Sequence, residues 1–169
     1  ILIGYDPRFM ADKFAKFCAE ILSKSGFRVL LSSKVVPTPV IAYAATVEKD
    51  CAGAIMFTAS HNPKEYLGIK FIPNYGGPAT KEMTDRIVEL IGNSLPSSAG
   101  SIVEKDFSEE YFKHIETLID FDVIKKSAPK IIYDGLFSAS IGYFDTILKR
   151  NNIDFEGVNL HYDPDFGGG

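Results

Sequence analysis

Cys51-Ala52-Gly53-Ala54-Ile55-Met56-Phe57 is a nearly continuous apolar run in the first half of the chain. A short run of this kind, without polar alternation, is typical of a strand that helices cover on both faces of a sheet. Short β-rich runs alternate with segments of helical spacing on both sides of it. The sequence therefore predicts an α/β domain.

The neighbouring segments supply the other elements of this domain. Strands are expected over residues 1–5, 27–31 and 68–72. Between the strands, apolar residues recur at helical spacing and predict three helices. The residues expected on the apolar faces of these helices are Phe14, Phe17, Cys18, Ile21 and Leu22 in the first, Val40, Tyr43, Ala44 and Val47 in the second, and Met83, Ile87, Leu90 and Ile91 in the third.

A second unit is expected after a break in the periodicity. We divide the chain into a first domain over 1–94, a linker over 95–107, and an incomplete second domain over 108–169. The chain has no initiator Met and stops on three glycines, so we expect a piece of a longer protein. The elements expected in the second unit are a helix over 108–119, a strand over 130–133, a helix over 141–148 and a strand over 158–162.

Composition argues against several classes of protein. The 169 residues are 46% hydrophobic and 24% charged, with a mean hydropathy of +0.03. No apolar run approaches the roughly 18 residues of a membrane helix. The net charge of -4 disfavours a nucleic-acid partner, which usually demands a basic face. Cys18 and Cys51 lie in apolar patterns that suit reduced core residues, so we expect a cytoplasmic protein without membrane or nucleic-acid partners.

The loop after the central strand carries the strongest candidate for chemistry. Ser60 lies in Thr58-Ala59-Ser60-His61-Asn62-Pro63, just past the carboxyl end of a strand, where ligands collect in open α/β sheets. Nearby backbone N–H groups can form an anion-binding nest. A serine hydrolase is disfavoured because His61 is adjacent in sequence and no Gly-x-Ser-x-Gly elbow is present. In a second interpretation, Ser60 and Asn62 only satisfy backbone groups of a turn.

Two basic residues are weaker candidates. Lys70 lies on the following strand between Ile69 and Phe71, so it points opposite to these apolar neighbours. Arg8 follows the first strand, in the run Asp6-Pro7-Arg8. The alternative interpretations are a solvated lysine on a strand and a turn with a surface ion pair.

Four runs together resemble the α-D-phosphohexomutase family, which includes phosphoglucomutase and phosphomannomutase. They occur in the family's order, and the run around Ser60 is the most specific of them. The resemblance covers residues 1–94 well and continues less sharply to the end of the chain. The four runs are Gly4-Tyr5-Asp6-Pro7-Arg8, Pro37-Thr38-Pro39, Thr58-Ala59-Ser60-His61-Asn62-Pro63 and Gly68-Ile69-Lys70.

The resemblance implies that Ser60 carries a phosphoryl group. The phosphoserine donates it to a sugar monophosphate, giving a bisphosphate intermediate, and recovers phosphate from the other position. A Mg²⁺ ion contacts the serine phosphate, which makes Ser60 a metal ligand as well as a catalytic residue. Lys70 matches a catalytic lysine that assists proton transfer at the sugar hydroxyl, and His61 matches a catalytic loop position that steadies the phosphate. Asn62 and Arg8 are implied as substrate-binding residues.

The substrates implied are glucose or mannose 1- and 6-phosphates and the 1,6-bisphosphate. Tyr75-Gly76-Gly77-Pro78-Ala79 is similar to the bacterial phosphoglucomutase/phosphomannomutase branch. Asp134-Gly135-Leu136-Phe137-Ser138 departs from the Asp-x-x-His-Gly run usual in the family. Two other functions stay open: phosphoglucosamine mutase, with the same chemistry on an amino sugar, and a non-catalytic phosphate-binding or scaffold protein on the same fold.

The expected fold is a three-layer α/β/α domain with a mixed sheet, followed by the start of a second similar domain. The metal loop, the sugar-selecting loop and the C-terminal phosphate loop of the family do not occur in this sequence.

We predict that residues 1–169 alone do not convert glucose 1-phosphate to glucose 6-phosphate, because these three loops are missing from the polypeptide. A coupled assay with glucose 1,6-bisphosphate as primer measures this, and the full-length gene product is the positive control. Sustained turnover by the 169-residue polypeptide would contradict the prediction.

Overall fold

A computed structural model describes residues 1–168 of the chain. Among the described residues, no helix has the length and apolar character needed to cross a membrane. The elements in chain order are β1 (Leu2–Tyr5), α1 (Ala11–Lys24), β2 (Arg28–Ser32), α2 (Thr38–Val47), β3 (Gly53–Phe57), β4 (Ile69–Pro73), α3 (Lys81–Glu89), β5 (Ser101–Lys105), α4 (Ser108–Leu118), α5 (Phe121–Ser127), β6 (Ile132–Asp134), α6 (Phe144–Arg150) and β7 (Glu156–Val158).

Five strands form one sheet in the order β4-β3-β1-β2-β5. β1 pairs in parallel with both β2 and β3, and β5 pairs in parallel with β2. β4 pairs with β3 in the antiparallel direction, as a strand can when a short loop joins it to its neighbour. The prediction of a mixed sheet is therefore confirmed.

Helices cover both faces of this sheet. Because successive residues of a strand point to opposite faces, Ile3 packs on the side of α1 and Leu2 packs on the side of α2. Met56 of β3 lies in the α2 cluster and Phe57 in the α1 cluster. The three-layer α/β/α arrangement is confirmed, and the apolar run over 51–57 is explained by burial of β3 from two sides.

Two helices expose most of the residues that the spacing placed on buried faces, and α2 exposes one of them, Val47. α1 packs on the sheet through three small residues, Ala11, Ala15 and Ala19, which let the helix lie close to the strands. Its large side chains remain exposed, namely Phe14, Phe17 and Ile21. α3 has no buried residue at all, although Met83 and Ile87 share one side of it. The expected inner face of α1 is correct for Cys18 and Leu22, which are partly buried against the core, and wrong for the three exposed residues. The expected inner face of α3 is wrong, because periodicity identifies a face of a helix but not what packs against it.

β5 lies inside the segment that was expected to be a linker. Its residues pair with β2 from Arg28 opposite Ser101 to Ser32 opposite Lys105. Ile102 and Val103 are both exposed, so this edge strand shows neither an alternating nor a buried pattern. The linker expectation over 95–107 is therefore wrong for residues 101–105.

The second unit shares a core with the first. Its buried apolar side chains continue the cluster that α2 forms with the sheet, so the unit has no separate interior among the described residues. The Tyr143 hydroxyl also donates to the carbonyl oxygen of Val35 at 3.2 Å. β6 and β7 pair in parallel. β7 ends at Val158, so the strand expected over 158–162 is wrong for residues 159–162. The side chains that the second unit adds to the cluster are Phe112, Phe121, Tyr143, Ile147, Leu148 and Ile153, and Phe107, the residue just before the unit, joins them.

Glu48, at the end of α2, joins the helix to two strands. It accepts from Lys105 of β5 at 2.8 Å and from Arg28 of β2 at 3.4 Å. The Lys105 hydrogen bond lowers the pKa of Glu48 despite the opposing effect of burial. A carboxyl whose pKa is lowered by folding stabilises the native state above its unfolded pKa, and this stabilisation is lost as the pH falls through the folded pKa.

We predict that Glu48→Gln lowers the free energy of unfolding by about 0.5–1 kcal/mol at neutral pH, because the ion pairs are lost. The difference from the wild type should shrink as the pH falls below about 4.3, the pKa of Glu in an unfolded chain. It should vanish as the pH passes through the lower folded pKa of Glu48, where the wild-type carboxyl becomes uncharged like Gln. Urea unfolding at several pH values measures this effect. Glu104→Gln, at an exposed position of β5, serves as the control, and an equal loss at every pH would argue against the ion pairs.

Candidate active site

The parallel pairing of β1 and β3 brings two distant loops together at one edge of the sheet. Tyr5 lies opposite Phe57 at the carboxyl ends of these strands. The next backbone N–H, that of Asp6, donates to the Phe57 carbonyl oxygen at 3.1 Å. Residues 6–8 and the Ser60 loop therefore start side by side, as the sequence predicts for loops at carboxyl strand ends.

The Ser60 loop is closed by its own hydrogen bonds. Thr58 and Gly68 exchange two backbone hydrogen bonds, at 3.0 and 3.2 Å, which close the base of the loop. The Ser60 N–H donates to the Thr58 hydroxyl at 3.0 Å, and the Asn62 N–H donates to the Ala59 carbonyl at 3.0 Å. Ser60 has a φ of 57°, in the left-handed region that residues other than glycine rarely adopt. The serine is thus exposed on a tight turn.

His61 lies beside the serine hydroxyl. The Ser60 Oγ and the His61 Nδ1 are 3.5 Å apart, and both residues are exposed. In residues 1–168, no carboxylate bonds to the His61 ring, so the third member of a hydrolase triad is missing there. The geometry agrees with the sequence in disfavouring a serine hydrolase.

Two open cavities flank Ser60, with volumes of about 310 and 320 Å³. Ser60, His61 and Ser138 line both of them, so the serine stands between two spaces of small-ligand size. The first cavity is also lined by Asp6, Pro37, Thr38, Pro39, Met56, Thr58 and Ala139. The second is also lined by Arg8, Asn62, Leu136, Phe137 and Phe166.

Lys70 is less closely associated with these cavities. It lies on β4 directly opposite Met56, and it is exposed. Residues directly opposite each other on antiparallel strands project to the same face, so Lys70 lies on the face where Met56 lines the first cavity. Lys70 itself does not line either cavity.

Arg8 lies beneath the loop, in the wall of the second cavity. The residue is only 5% exposed and bonds to backbone carbonyl groups of the loop. Its partner Asp6 is buried as well, so the ion pair of this turn is not the surface pair that the sequence left open.

The second unit contributes residues that sequence reasoning did not include in the site. Leu136, Phe137 and Ser138 come from the loop after β6, and Phe166 comes from the last described segment. Leu136 and Phe137 have φ values of 47° and 56°, so the backbone of this loop is in the strained left-handed region at both residues. Asp134 supports it by accepting from the Leu136 N–H at 2.9 Å. One sequence signal could have identified this loop as part of the site, namely the departure of residues 134–138 from the run usual in the family.

The described residues do not form a complete metal site. Residues 1–168 contain no group of three or more His, Cys, Asp or Glu side chains placed to hold an ion. Mg²⁺ prefers several oxygen ligands in octahedral geometry, and Ser60 with Asp6 nearby falls short of such a set. The implied Mg²⁺ site therefore does not fit these residues alone.

Comparison with known proteins identifies the family. Residues 1–96 match the family model described as phosphoglucomutase/phosphomannomutase, alpha/beta/alpha domain I. The chain belongs to this family. The sequence-based identification as a phosphohexomutase relative is thereby confirmed.

Curated relatives extend the phosphoglucomutase/phosphomannomutase match beyond the first domain. A phosphoglucomutase of Staphylococcus aureus (strain N315) is 31% identical over 178 residues, which cover 98% of this chain and 32% of the relative. A phosphoglucomutase of Komagataeibacter xylinus is 27% identical over 188 residues, covering 98% and 34%. The chain thus spans about a third of the length of the curated relatives it matches.

A solved phosphomannomutase-like structure shares the fold over almost the whole chain. The crystal structure of a putative phosphomannomutase from Thermus thermophilus matches with a TM-score of 0.89 and 30% identity. The match covers 99% of this chain and 38% of the other. The fold class of the phosphoglucomutase/phosphomannomutase family is therefore confirmed for both units.

The left-handed turn at Ser60 leads to a prediction about stability. A β-branched residue is poorly tolerated in this region, at a cost of about 1–2 kcal/mol. We expect Ser60→Val to lower the free energy of unfolding by that amount relative to Ser60→Gly, because glycine adopts this conformation without strain. Urea unfolding of both variants measures the difference. The same pair of changes at exposed Ser97 should favour valine or show no difference, and identical behaviour at both positions would contradict the prediction.

Proposed function

We propose that the protein containing this chain is a Mg²⁺-dependent phosphoglucomutase or phosphomannomutase in which Ser60 carries the phosphoryl group. The observation that carries this proposal is the position of Ser60, exposed on a tight turn at the carboxyl edge of the sheet, between two cavities. Phosphoryl transfer depends on placement and on charge neutralisation more than on covalent help from the protein. A serine held on a turn of this kind meets the requirement for placement.

The names of the relatives support glucose or mannose phosphates as substrates. The curated relatives are phosphoglucomutases, and the solved structure is a putative phosphomannomutase. The sugar monophosphate receives the phosphoryl group from Ser60, and the 1,6-bisphosphate returns the other one. Two cavities beside one serine suit this reaction, because the hexose has to present each of its two ends in turn.

The neighbours of Ser60 have separate roles in the proposal. His61 steadies the serine phosphate, since its Nδ1 lies 3.5 Å from the Ser60 Oγ. Asn62 lines the second cavity and contacts the sugar phosphate there. Lys70 assists proton transfer at the sugar hydroxyl from the face of β4 that it shares with the first cavity. The N-terminal end of α2, at Pro37 and Thr38, also lines that cavity and favours a negative charge in it.

Magnesium enters the proposal through the Ser60 phosphate. A phosphoserine offers the hard oxygen ligand that Mg²⁺ prefers, and the bound ion would neutralise charge on the transferring group. The remaining ligands have to come from outside residues 1–168, since the described residues contain no such set. We also infer a cytoplasmic location, which the two free cysteines support.

Phosphorylation of Ser60 is the direct test. The full-length gene product, incubated with glucose 1,6-bisphosphate, should gain one phosphoryl group on the peptide that contains Ser60. Intact-mass and phosphopeptide analysis measure this gain. Ser60→Ala should abolish it and lower kcat by at least about 10⁴-fold, as expected for loss of a nucleophile.

Ser97→Ala is the matched control, because Ser97 is exposed and lines neither cavity. It should keep wild-type phosphorylation and turnover. A wild-type protein that never acquires phosphate at Ser60 would rule out the mutase and favour a non-catalytic protein on this fold. Turnover of glucosamine phosphates in preference to glucose and mannose phosphates would instead identify the amino-sugar enzyme.

A further inference from the structure

We propose that Arg8 is a positioning residue that holds the Ser60 loop in its reactive conformation, and that Phe166 of the second unit covers this contact. The expected effect of Arg8 on kcat rests on the proposed function. The expected effect of Arg8 on the order of the Ser60 loop does not depend on that function. This positioning role differs from the role in substrate binding that the resemblance implies for Arg8.

The outer nitrogens of Arg8 bond to four carbonyl groups of one loop. Nη1 donates to the carbonyl oxygens of Pro63 at 2.8 Å and Tyr66 at 3.0 Å. Nη2 donates to the carbonyl oxygens of Ser60 at 2.9 Å and Asn62 at 2.8 Å. The planar guanidinium therefore determines the direction of four peptide groups at once.

The last N–H group of the guanidinium is also used. Nε donates to Asp6 Oδ2 at 3.3 Å, and the Arg8 backbone N–H donates to Asp6 Oδ1 at 3.2 Å. The two side chains are 3% and 9% exposed. A guanidinium has five N–H groups, so none is left for a substrate phosphate. Arg8 can act on the reaction only through the loop.

The bonds to Arg8 explain how Ser60 keeps a strained conformation. A left-handed φ of 57° costs free energy, and such a residue persists only where its surroundings determine its conformation. Nη2 bonds to the carbonyl groups of both Ser60 and Asn62, which lie on either side of His61. The Ser60 carbonyl is thus bound below, while Ser60 itself remains exposed and lines both cavities.

The second unit covers this arrangement. The Phe166 ring lies over the guanidinium, with the Arg8 Cζ 5.1 Å from the ring centroid. Lys64 of the loop and Asp165 next to Phe166 form an ion pair at 3.8 Å. Asp163 holds the segment in shape by accepting from the N–H groups of Asp165 and Gly167 at 2.9 and 3.1 Å. Order in the Ser60 loop therefore depends on a segment about a hundred residues further along the chain.

The test compares Arg8→Lys with the wild type in the full-length gene product. Lysine keeps the charge but cannot supply five donors in a planar fork. We expect kcat and kcat/KM to fall together by about 100-fold, the cost of a small misplacement of the reacting group, while KM stays within about twofold. Amide hydrogen exchange of residues 60–66 should become at least about tenfold faster. Arg28→Lys, at an exposed position of β2, is the matched control and should change neither measurement.

A rise in KM with unchanged kcat would overturn the proposal, because it would show that Arg8 binds substrate. An unchanged kcat, or unchanged exchange in the loop, would overturn it as well. If Arg8→Lys does not fold, Phe166→Leu decides the matter. That variant keeps an apolar cover but removes the aromatic face, and it should lower kcat roughly fivefold with faster exchange in the loop. No change in either measurement would overturn the proposal.

The two proposals fail in different ways. If wild-type Ser60 never carries phosphate, the mutase function is ruled out, and the amide-exchange experiment still tests the role of Arg8. If neither Arg8→Lys nor Phe166→Leu changes amide exchange in the loop, the positioning role of Arg8 is ruled out. This holds even if the wild type is phosphorylated and active.

Discussion

A guanidinium that is removed from water needs an acceptor for each of its five N–H groups, because an unpaired buried charge is very costly. Arg8 meets this requirement with the Asp6 carboxylate and four carbonyl groups of the Ser60 loop. A loop path that moved these carbonyl groups away from Arg8 would leave part of the charge unpaired. The parallel pairing of β1 with β3 makes the contact possible, since it brings Asp6 next to Phe57. The conformation of the candidate nucleophile thus follows from the order of strands in the sheet.

The same edge of the sheet is where the two units meet. Residues of the second unit line both cavities around Ser60, and its buried side chains continue the cluster under α2. A core shared in this way keeps the loop after β6 and the segment around Phe166 in register with Ser60. This placement matters for the proposed phosphoryl transfer, because such a reaction depends on the placement of groups and on the exclusion of competing water.

The sequence predicted the fold well where local pattern and tertiary environment agree. The buried strand β3, the helices α2 and α4 and the mixed α/β/α sheet follow from apolar runs and helical spacing. It predicted the helices α1 and α3 but misplaced most of their buried residues, since several large apolar side chains of these helices are exposed. It also missed β5, because an exposed edge strand is recognised by its hydrogen bonds to β2 and not by its pattern. In each case a partner distant in sequence decided the outcome.

Some residues of the candidate site can be identified from the local sequence, whereas others join the site only through the fold. The sequence by itself determined the family and singled out Ser60 as the candidate, because the run around Ser60 is specific and its position after a buried strand follows from local pattern. It could not determine what Arg8 does, since the four carbonyl partners lie 52 to 58 residues away and backbone carbonyls are present in every residue. Ser138 and Phe166 reach the site through the core that the two units share. Only the tertiary structure decides such contacts, because they depend on which strands pair and which helices pack, and no local spacing encodes that choice.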